Sequence, residues 1–269
     1  DGREVLDLLA RHPATARFVA TKLARRFVSD TPPAALVERA AATFARTDGD
    51  IRETLRTILT SPEFFSRAAW RAKVKSPFEV VVSALRATGA APDPTPRTAA
   101  LVARLGQPLY LHQAPNGYPE TGDAWINTGA ILNRINFGMA LGAERVPGSR
   151  RATWSWPPAL DTATRERQVD AVAQVLFGGY LSPDTRAVLV SGQNPLAAQA
   201  AGADSLLAFD EDDDVEMAPA AMGPEGAVRA RRQARRTGIR GRDPFTPSEL
   251  RGLRQIVGLA IGAPEFQRR

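Results

Sequence analysis

The sequence has no cysteine, only two histidines, and only three lysines among its 35 basic residues. Without cysteine the chain can form neither disulfides nor thiolate metal sites, although this leaves its compartment open. No apolar run approaches the roughly 18 residues that a transmembrane helix needs, so we predict no membrane span. We predict no metal site and no cofactor. The chain begins at Asp1 rather than methionine. The sequence therefore does not determine where the true N-terminus lies or whether an export signal precedes it.

Acidic and basic residues are segregated near the end of the chain. Residues 203–228 contain eight acidic and no basic residues, and residues 229–242 contain seven arginines and no acidic residue. Neighbouring blocks of opposite charge are typical of a solvated segment in which the charges compensate each other. We interpret residues 199–242 as a charged insertion or hinge.

The acidic run 210–216 invites comparison with a calcium-binding loop, because calcium prefers several carboxylate ligands. Counted from Asp210, the sixth position is Val215, where the calcium loop requires glycine. The twelfth is Ala221, where it requires glutamate. We therefore favour a solvated acidic loop over a metal site.

Arginine supplies 32 of the 35 basic residues, and the net charge is +6. Because arginine binds phosphate well, nucleic-acid binding has to be weighed. Arg229, Arg232 and Arg236 would share one side of a helix. However, no aromatic residue is interleaved with them, and most other arginines are scattered along predicted helices. We favour the codon usage of a GC-rich genome as the explanation, and keep arginine-mediated nucleic-acid binding as an alternative function.

Serine or threonine followed by proline and a nearby acidic residue recurs along the chain, as at 61–63, 76–79, 182–184 and 246–249. This order supplies a capping hydroxyl, a proline in the first turn and a carboxylate at the positive end of the helix dipole. Apolar residues recur between these starts at helical spacing. The predicted helices are 3–11, 13–28, 33–46, 50–60, 62–71, 77–88, 96–105, 128–142, 164–177, 183–191 and 247–262.

The pattern predicts an all-α fold, a multi-helix globular domain interrupted by a long irregular loop at about 106–127. We assign residues 1–198 to the helical core that carries this loop. Residues 199–242 form the charged insertion, and residues 243–269 supply a C-terminal helix that packs on the core. No strand series competes with this interpretation.

The loop concentrates residues that can do chemistry, with one of the two histidines and two of the three tyrosines. Loops carry function more often than the elements they join. His112 lies near Glu120 and Asp123 in sequence, and a histidine with a carboxylate can act as a general acid or base. These three residues are our candidates for catalysis. Isolated histidines are more often structural, and no nucleophile elbow, phosphate loop or metalloprotease motif occurs. The sequence leaves open whether the protein is an enzyme.

The same loop offers candidates for ligand binding, which are Gln107, Tyr110, Tyr118, Trp125 and Asn127. The three aromatic side chains could line a sugar-binding or aromatic pocket. They could equally pack the loop onto the helical core. We favour packing.

Several segments of the chain resemble one bacterial family. The loop contributes 106–110, 117–119 and 125–128, followed by Leu132, Arg134 and 136–137, and further agreement lies at 5–9, 12–18, 50–52, 61–64 and 263–269. In order and spacing these segments resemble the family called "domain of unknown function 1800". The resemblance covers most of residues 1–142 and 245–269, whereas the acidic run is not typical of the family. Family members are usually longer, so the chain resembles their C-terminal portion, without an N-terminal helical part.

The resemblance implies a location and a partner for the protein, but it implies no reaction. Family members are often exported and often encoded beside an exported protein of sulfatase-like fold, which is therefore a candidate partner. A periplasmic or extracellular location follows from the same resemblance. Two functions remain in view: a binding or assembly module of an exported bacterial protein, and a hydrolase-like enzyme acting on a polysaccharide or related polymer.

Overall fold

A computed structural model describes residues 1–92, 94–146, 156, 158–193 and 250–269. These residues form ten α-helices and no β-strand, so the predicted all-α fold is confirmed. None of the described helices is long and apolar enough to cross a membrane. In chain order, the helices α1 to α10 are Gly2–Arg11, Pro13–Phe27, Ala34–Arg46, Ile51–Leu59, Pro77–Ala87, Arg97–Arg104, Thr128–Gly142, Arg165–Phe177, Pro183–Ser191 and Gly252–Gly262.

Side-chain caps start several of these helices where the sequence predicts. At α5 the Ser76 hydroxyl accepts the backbone N–H of Glu79, and the Glu79 carboxylate accepts the N–H of Ser76. This reciprocal pair satisfies two backbone donors that lack a partner within the helix. Asp50 caps α4 by accepting the N–H of Glu53 at 3.1 Å. His12 caps α2 through its Nδ1 atom, as its position before a proline indicates.

The helix predicted over 62–71 is wrong, because this segment is a series of turns. Ser61 Oγ accepts the N–H of Phe64, and Ser66 Oγ accepts the N–H of Ala69, both at 3.2 Å. Serine side chains that bond to nearby backbone offer the chain an alternative to helical bonding.

The last helix begins later than predicted. Leu250 and Arg251 are not helical, and α10 begins at Gly252, whose φ is 60°. Left-handed backbone at Gly252 stops the helix from extending back into Leu250 and Arg251, since helical residues need negative φ. The predicted cap at 246–249 lies outside the described residues, as do the charged insertion 199–242 and its acidic run.

The contacts group the chain into two compact units. The assignment of residues 1–198 to one helical core stays a prediction. The first unit comprises 1–74, 119–124 and 268–269. Its core lies between α2, α3 and α4, where the alanines Ala20, Ala24 and Ala40 are completely buried. Alanine at these contacts lets the helix backbones approach closely, and larger side chains such as those of Leu36 and Ile58 fill the remaining space.

The second unit comprises 75–118 and 125–267. Its core contains Phe137 of α7, Val172 of α8 and Ile256 of α10, all fully buried. The C-terminal helix α10 packs on α7 and α8. Glycine makes the approach of α7 and α10 possible, because a Cβ atom on Gly138 would lie 2.5 Å from the carbonyl oxygen of Gly258.

Candidate functional site

The connection between α6 and α7 is irregular, as predicted, apart from a 3₁₀ turn over Gly122–Trp125. Its residues belong to both units: 107–118 and 125–127 to the second, and 119–124 to the first. We describe each part within its own unit.

In the second unit, the side chains of His112, Tyr118 and Trp125 form an aromatic row. The ring centroids of His112 and Tyr118 are 4.6 Å apart, and those of Tyr118 and Trp125 are 5.9 Å apart. These separations are within the range at which aromatic rings attract each other. Trp125 is buried at one end, whereas Tyr118 and His112 are partly exposed. The row therefore runs from the protein interior to the surface.

Hydrogen bonds hold this row in place. The Tyr118 hydroxyl donates to the carbonyl oxygen of Pro108. Burial raises the pKa of Tyr118 above its usual value of 10.0, so the hydroxyl stays protonated and available as a donor at neutral pH. His112 Nε2 lies 3.2 Å from Asn116 Oδ1. The loop is thus closed on itself by its own side chains, and the rings are positioned without a ligand.

Tyr110 differs from the other aromatic residues of the loop. Its relative exposure is 101%, and its φ is 61°. Left-handed backbone costs a residue with a Cβ atom about 1–2 kcal/mol. The packing interpretation therefore fits Trp125, which is buried, and is wrong for Tyr110. An aromatic ring held in solvent on strained backbone is a feature that packing does not explain.

Two of the predicted binding residues serve as helix caps. Gln107 Oε1 accepts the N–H of Phe78 at 2.9 Å, in the first turn of α5. Asn127 Oδ1 accepts the N–H of Ala130 at 2.8 Å, at the start of α7. Because the carbonyl oxygen of each side chain already bonds to backbone, both residues fix the ends of the loop.

Arg134 supports the row from inside the second unit, a role that the spacing of residues in the sequence did not indicate. It is only 3% exposed, its Nη2 donates to the Trp125 carbonyl oxygen at 3.3 Å, and its Nη1 donates to Gln267 Oε1 at 2.9 Å. Burial lowers the pKa of Arg134 to about 10. Within the described residues Arg134 forms no ion pair. Its positive charge is stabilised by hydrogen bonds to these two neutral oxygens.

In the first unit, Glu120 belongs to a cluster of charges. Its carboxylate pairs with Lys22 and lies 3.9 Å from Arg25 Nη1. Asp123 is exposed. The carboxylate of Glu120 is thus partly neutralised by cations of α2. The assignment of His112, Glu120 and Asp123 to catalysis stays a prediction, and the hydrogen bond that His112 forms is to an amide, Asn116.

Beneath Glu120, an ion pair fixes the segment 119–124 in the first unit. The Lys73 ammonium donates to the Asp30 carboxylate and, at 3.2 Å, to the carbonyl oxygen of Glu120. Asp30 also accepts the N–H of Gly122 at 2.7 Å. Lys73 is 4% exposed. Across the described ranges, no three histidine or carboxylate side chains group in a way that could hold a metal ion.

The described residues form an all-helical protein with an irregular loop on which the Tyr110 ring is fully exposed. A family model described as "Protein of unknown function (DUF1800)" matches residues 1–268. The chain belongs to this family, as its motifs indicated. No curated protein and no solved structure matches the chain. The family description gives no activity, so the function has to be argued from the residues.

Proposed function

We propose that the protein is a non-catalytic binding module that holds its ligand on the exposed side of the loop, at Tyr110 and His112. The observation that carries this proposal is the complete exposure of Tyr110 on left-handed backbone, two residues before the ordered row. Strained backbone tends to persist at sites of recognition, where the surrounding structure fixes it.

A carbohydrate chain is the ligand class that suits this surface. Sugar rings present C–H groups on their flat faces, and the faces of aromatic rings carry negative charge density that attracts them. His112 and Asn116 contact each other through Nε2 and Oδ1, and their other polar atoms, His112 Nδ1 and Asn116 Nδ2, can bond to sugar hydroxyls beside the rings. The site therefore combines an apolar face with hydrogen-bonding groups, as small-ligand sites do.

A polysaccharide hydrolase is supported less well. Glycoside hydrolysis generally needs two carboxyl groups flanking the bond that breaks. The carboxylate of Glu120 is engaged by Lys22 and Arg25, and the polar contact of His112 is with Asn116. These contacts favour binding over acid–base catalysis.

Isothermal titration with cellohexaose and chitohexaose tests the proposal. We expect one of these probes to bind, and Tyr110→Ala to weaken that binding by about two- to tenfold, since aromatic stacking contributes about 0.5–1.5 kcal/mol. Tyr180→Ala is the matched control, because Tyr180 is a half-exposed tyrosine elsewhere in the second unit. This control should bind as the parent does.

Thermal unfolding separates recognition from packing in the same variants. Tyr110→Ala should leave stability unchanged or slightly increased, whereas Trp125→Ala should lower it by about 3–5 kcal/mol because a buried ring is lost. Absence of binding to both probes, or equal binding by Tyr110→Ala, would contradict the proposal. Release of reducing ends from a probe, abolished by His112→Ala, would instead establish the hydrolase alternative.

An exported location, and a co-encoded partner of sulfatase-like fold, remain proposals that rest on the family resemblance alone. Both are compatible with a module that recognises an extracellular polymer. The location and the partner would say where the protein binds its ligand, and the titration experiment above does not depend on either of them.

A further inference from the structure

The ring of Tyr110 is carried by a β-turn over residues 108–111 of the second unit. The N–H of Leu111 donates to the Pro108 carbonyl oxygen at 3.3 Å, so Tyr110 is the third of the four residues. Its φ is 61°, whereas the φ of Leu109 before it is not positive. These signs characterise a type II turn, whose third position normally needs glycine or asparagine. A tyrosine at that position requires contacts that keep the turn closed.

Two side chains hold the start of this turn from outside it. The Tyr118 hydroxyl donates to the Pro108 carbonyl oxygen, which is the same atom that closes the turn. Gln107, the residue before the turn, accepts the N–H of Phe78 through its Oε1 atom at 2.9 Å. A carbonyl oxygen has two lone pairs, so that of Pro108 can accept both of its hydrogen bonds.

The turn is anchored on its inner side and open on its outer side. Pro108 is buried and Leu109 packs against the core of the second unit, whereas the Tyr110 ring lies entirely in solvent. The ring of Tyr118 is stacked within the aromatic row. Because neighbouring rings hold Tyr118, removal of its hydroxyl alone would free the turn without displacing the ring.

We propose that the Tyr118 hydroxyl is the positioning group that presents Tyr110 to the ligand, which rests on the proposed function. Its bond to Pro108 stabilises the closed turn from which the Tyr110 ring projects. Without this bond, Tyr110 can relax to the negative φ that a residue with a Cβ atom prefers. Binding would then have to order the ring again, at a cost in affinity. Tyr118 thus acts through Tyr110.

A double-mutant cycle, measured by isothermal titration of the full 269-residue chain with cellohexaose and chitohexaose, tests this role. Tyr118→Phe should weaken binding by about two- to tenfold, the effect of losing one hydrogen bond, and by no more than Tyr110→Ala does. Because both changes act on one contact with the ligand, the double variant should bind as Tyr110→Ala does. Tyr180→Phe is the matched control and should bind as the parent does.

Hydrogen exchange of the Leu111 N–H, followed by NMR, tests the same role without a ligand. Opening of the turn exposes this N–H to water, so its exchange should be about two- to tenfold faster in Tyr118→Phe. The rate should be unchanged in Tyr180→Phe. Thermal unfolding of both variants confirms that they are folded.

Two results would overturn the role of Tyr118. One is a Leu111 exchange rate that Tyr118→Phe leaves unchanged. The other is a double variant in which the effects of Tyr118→Phe and Tyr110→Ala on binding multiply, because Tyr118 would then act independently of Tyr110. A parent that binds neither probe would overturn the proposed function and the presentation of a ligand with it. Faster Leu111 exchange in Tyr118→Phe would identify that failure as one of ligand binding, since the turn would still depend on the hydroxyl.

Discussion

At the scale of single residues, the first unit depends on a charge that is almost enclosed. The Lys73 side chain is 6% exposed, and the Asp30 side chain with which it pairs is 28% exposed. Removing one partner of a buried pair leaves the other charge unpaired in a poorly solvated place. The same carboxylate accepts the N–H of Gly122, so Asp30 joins Lys73 to the segment 119–124.

We predict that Asp30→Asn lowers the free energy of unfolding at pH 7 by about 3 kcal/mol, the lower end of the range for a broken buried pair. Burial raises the pKa of Asp30, but hydrogen bonds from Lys73 and Gly122 outweigh it and hold the pKa below its ordinary 3.8. A lowered carboxyl pKa contributes stability above the unfolded value, which is lost as pH falls through the folded value.

The parent should therefore lose this contribution when the pH falls below about 4, whereas Asp30→Asn has no such contribution to lose. Urea unfolding at a series of pH values measures the difference. Asp48→Asn is the control, because the Asp48 side chain is 79% exposed and its ion pair is worth little. An Asp30→Asn variant whose stability follows pH as the parent's does would show that the pair contributes nothing.

At the scale of elements, the contact between α7 and α10 is set by glycine. A Cβ atom on Gly138 would lie 2.5 Å from the Gly258 carbonyl oxygen, a backbone atom that cannot move away alone. We predict that Gly138→Ala destabilises the second unit by about 1–3 kcal/mol through overpacking, although alanine favours helix. Gly2→Ala is the control, since nothing lies within 4 Å of that position.

Differential scanning calorimetry measures both variants. Gly2→Ala should melt at or above the temperature of the parent, because alanine is the better helix former and meets no obstacle. If Gly138→Ala melts together with Gly2→Ala, the two helices can separate slightly without cost, and the close approach is not a constraint.

The helices could be predicted where local chemistry decides them, as at α5, where Ser76, Pro77 and Glu79 all favour a start. The segment 62–71 follows a similar Ser-Pro-Glu order, but Glu63 stands one position earlier than Glu79 does and cannot complete the same capping box. There the chain forms turns, in which Ser61 and Ser66 bond to nearby backbone.

The candidate site shows the same limit. Asn127 directly precedes α7, so a capping role could have been read from its position. Gln107 bonds to Phe78, which is 29 residues away, and no local pattern reveals such a contact. The support that Arg134 gives to Trp125 is likewise visible only once α7 and the loop are placed together.

At the scale of the whole molecule, the net charge is +6, and arginine supplies 32 of the 35 basic residues. Within the described ranges, arginines on four different helices pair with carboxylates. These pairs are Arg17 with Glu38, Arg39 with Glu63, Arg186 with Asp170 and Arg254 with Glu144. A nucleic-acid-binding surface needs cations that are clustered and free to contact phosphate. These four arginines lie on different helices and are paired with carboxylates, so they do not meet that requirement.

We therefore predict only non-specific binding to a fluorescently labelled DNA duplex, with a Kd no tighter than about 10⁻⁶ M at physiological salt. Fluorescence anisotropy at several salt concentrations measures it. The remaining arginine-rich block, 229–242, follows the eight acidic residues of 203–228 in sequence, and we expect the two blocks to compensate each other's charge. Replacing Arg229, Arg232 and Arg236 by glutamine should accordingly change the anisotropy titration little. A nanomolar Kd that these three substitutions abolish, together with a steep salt dependence, would instead make this block a phosphate-binding face.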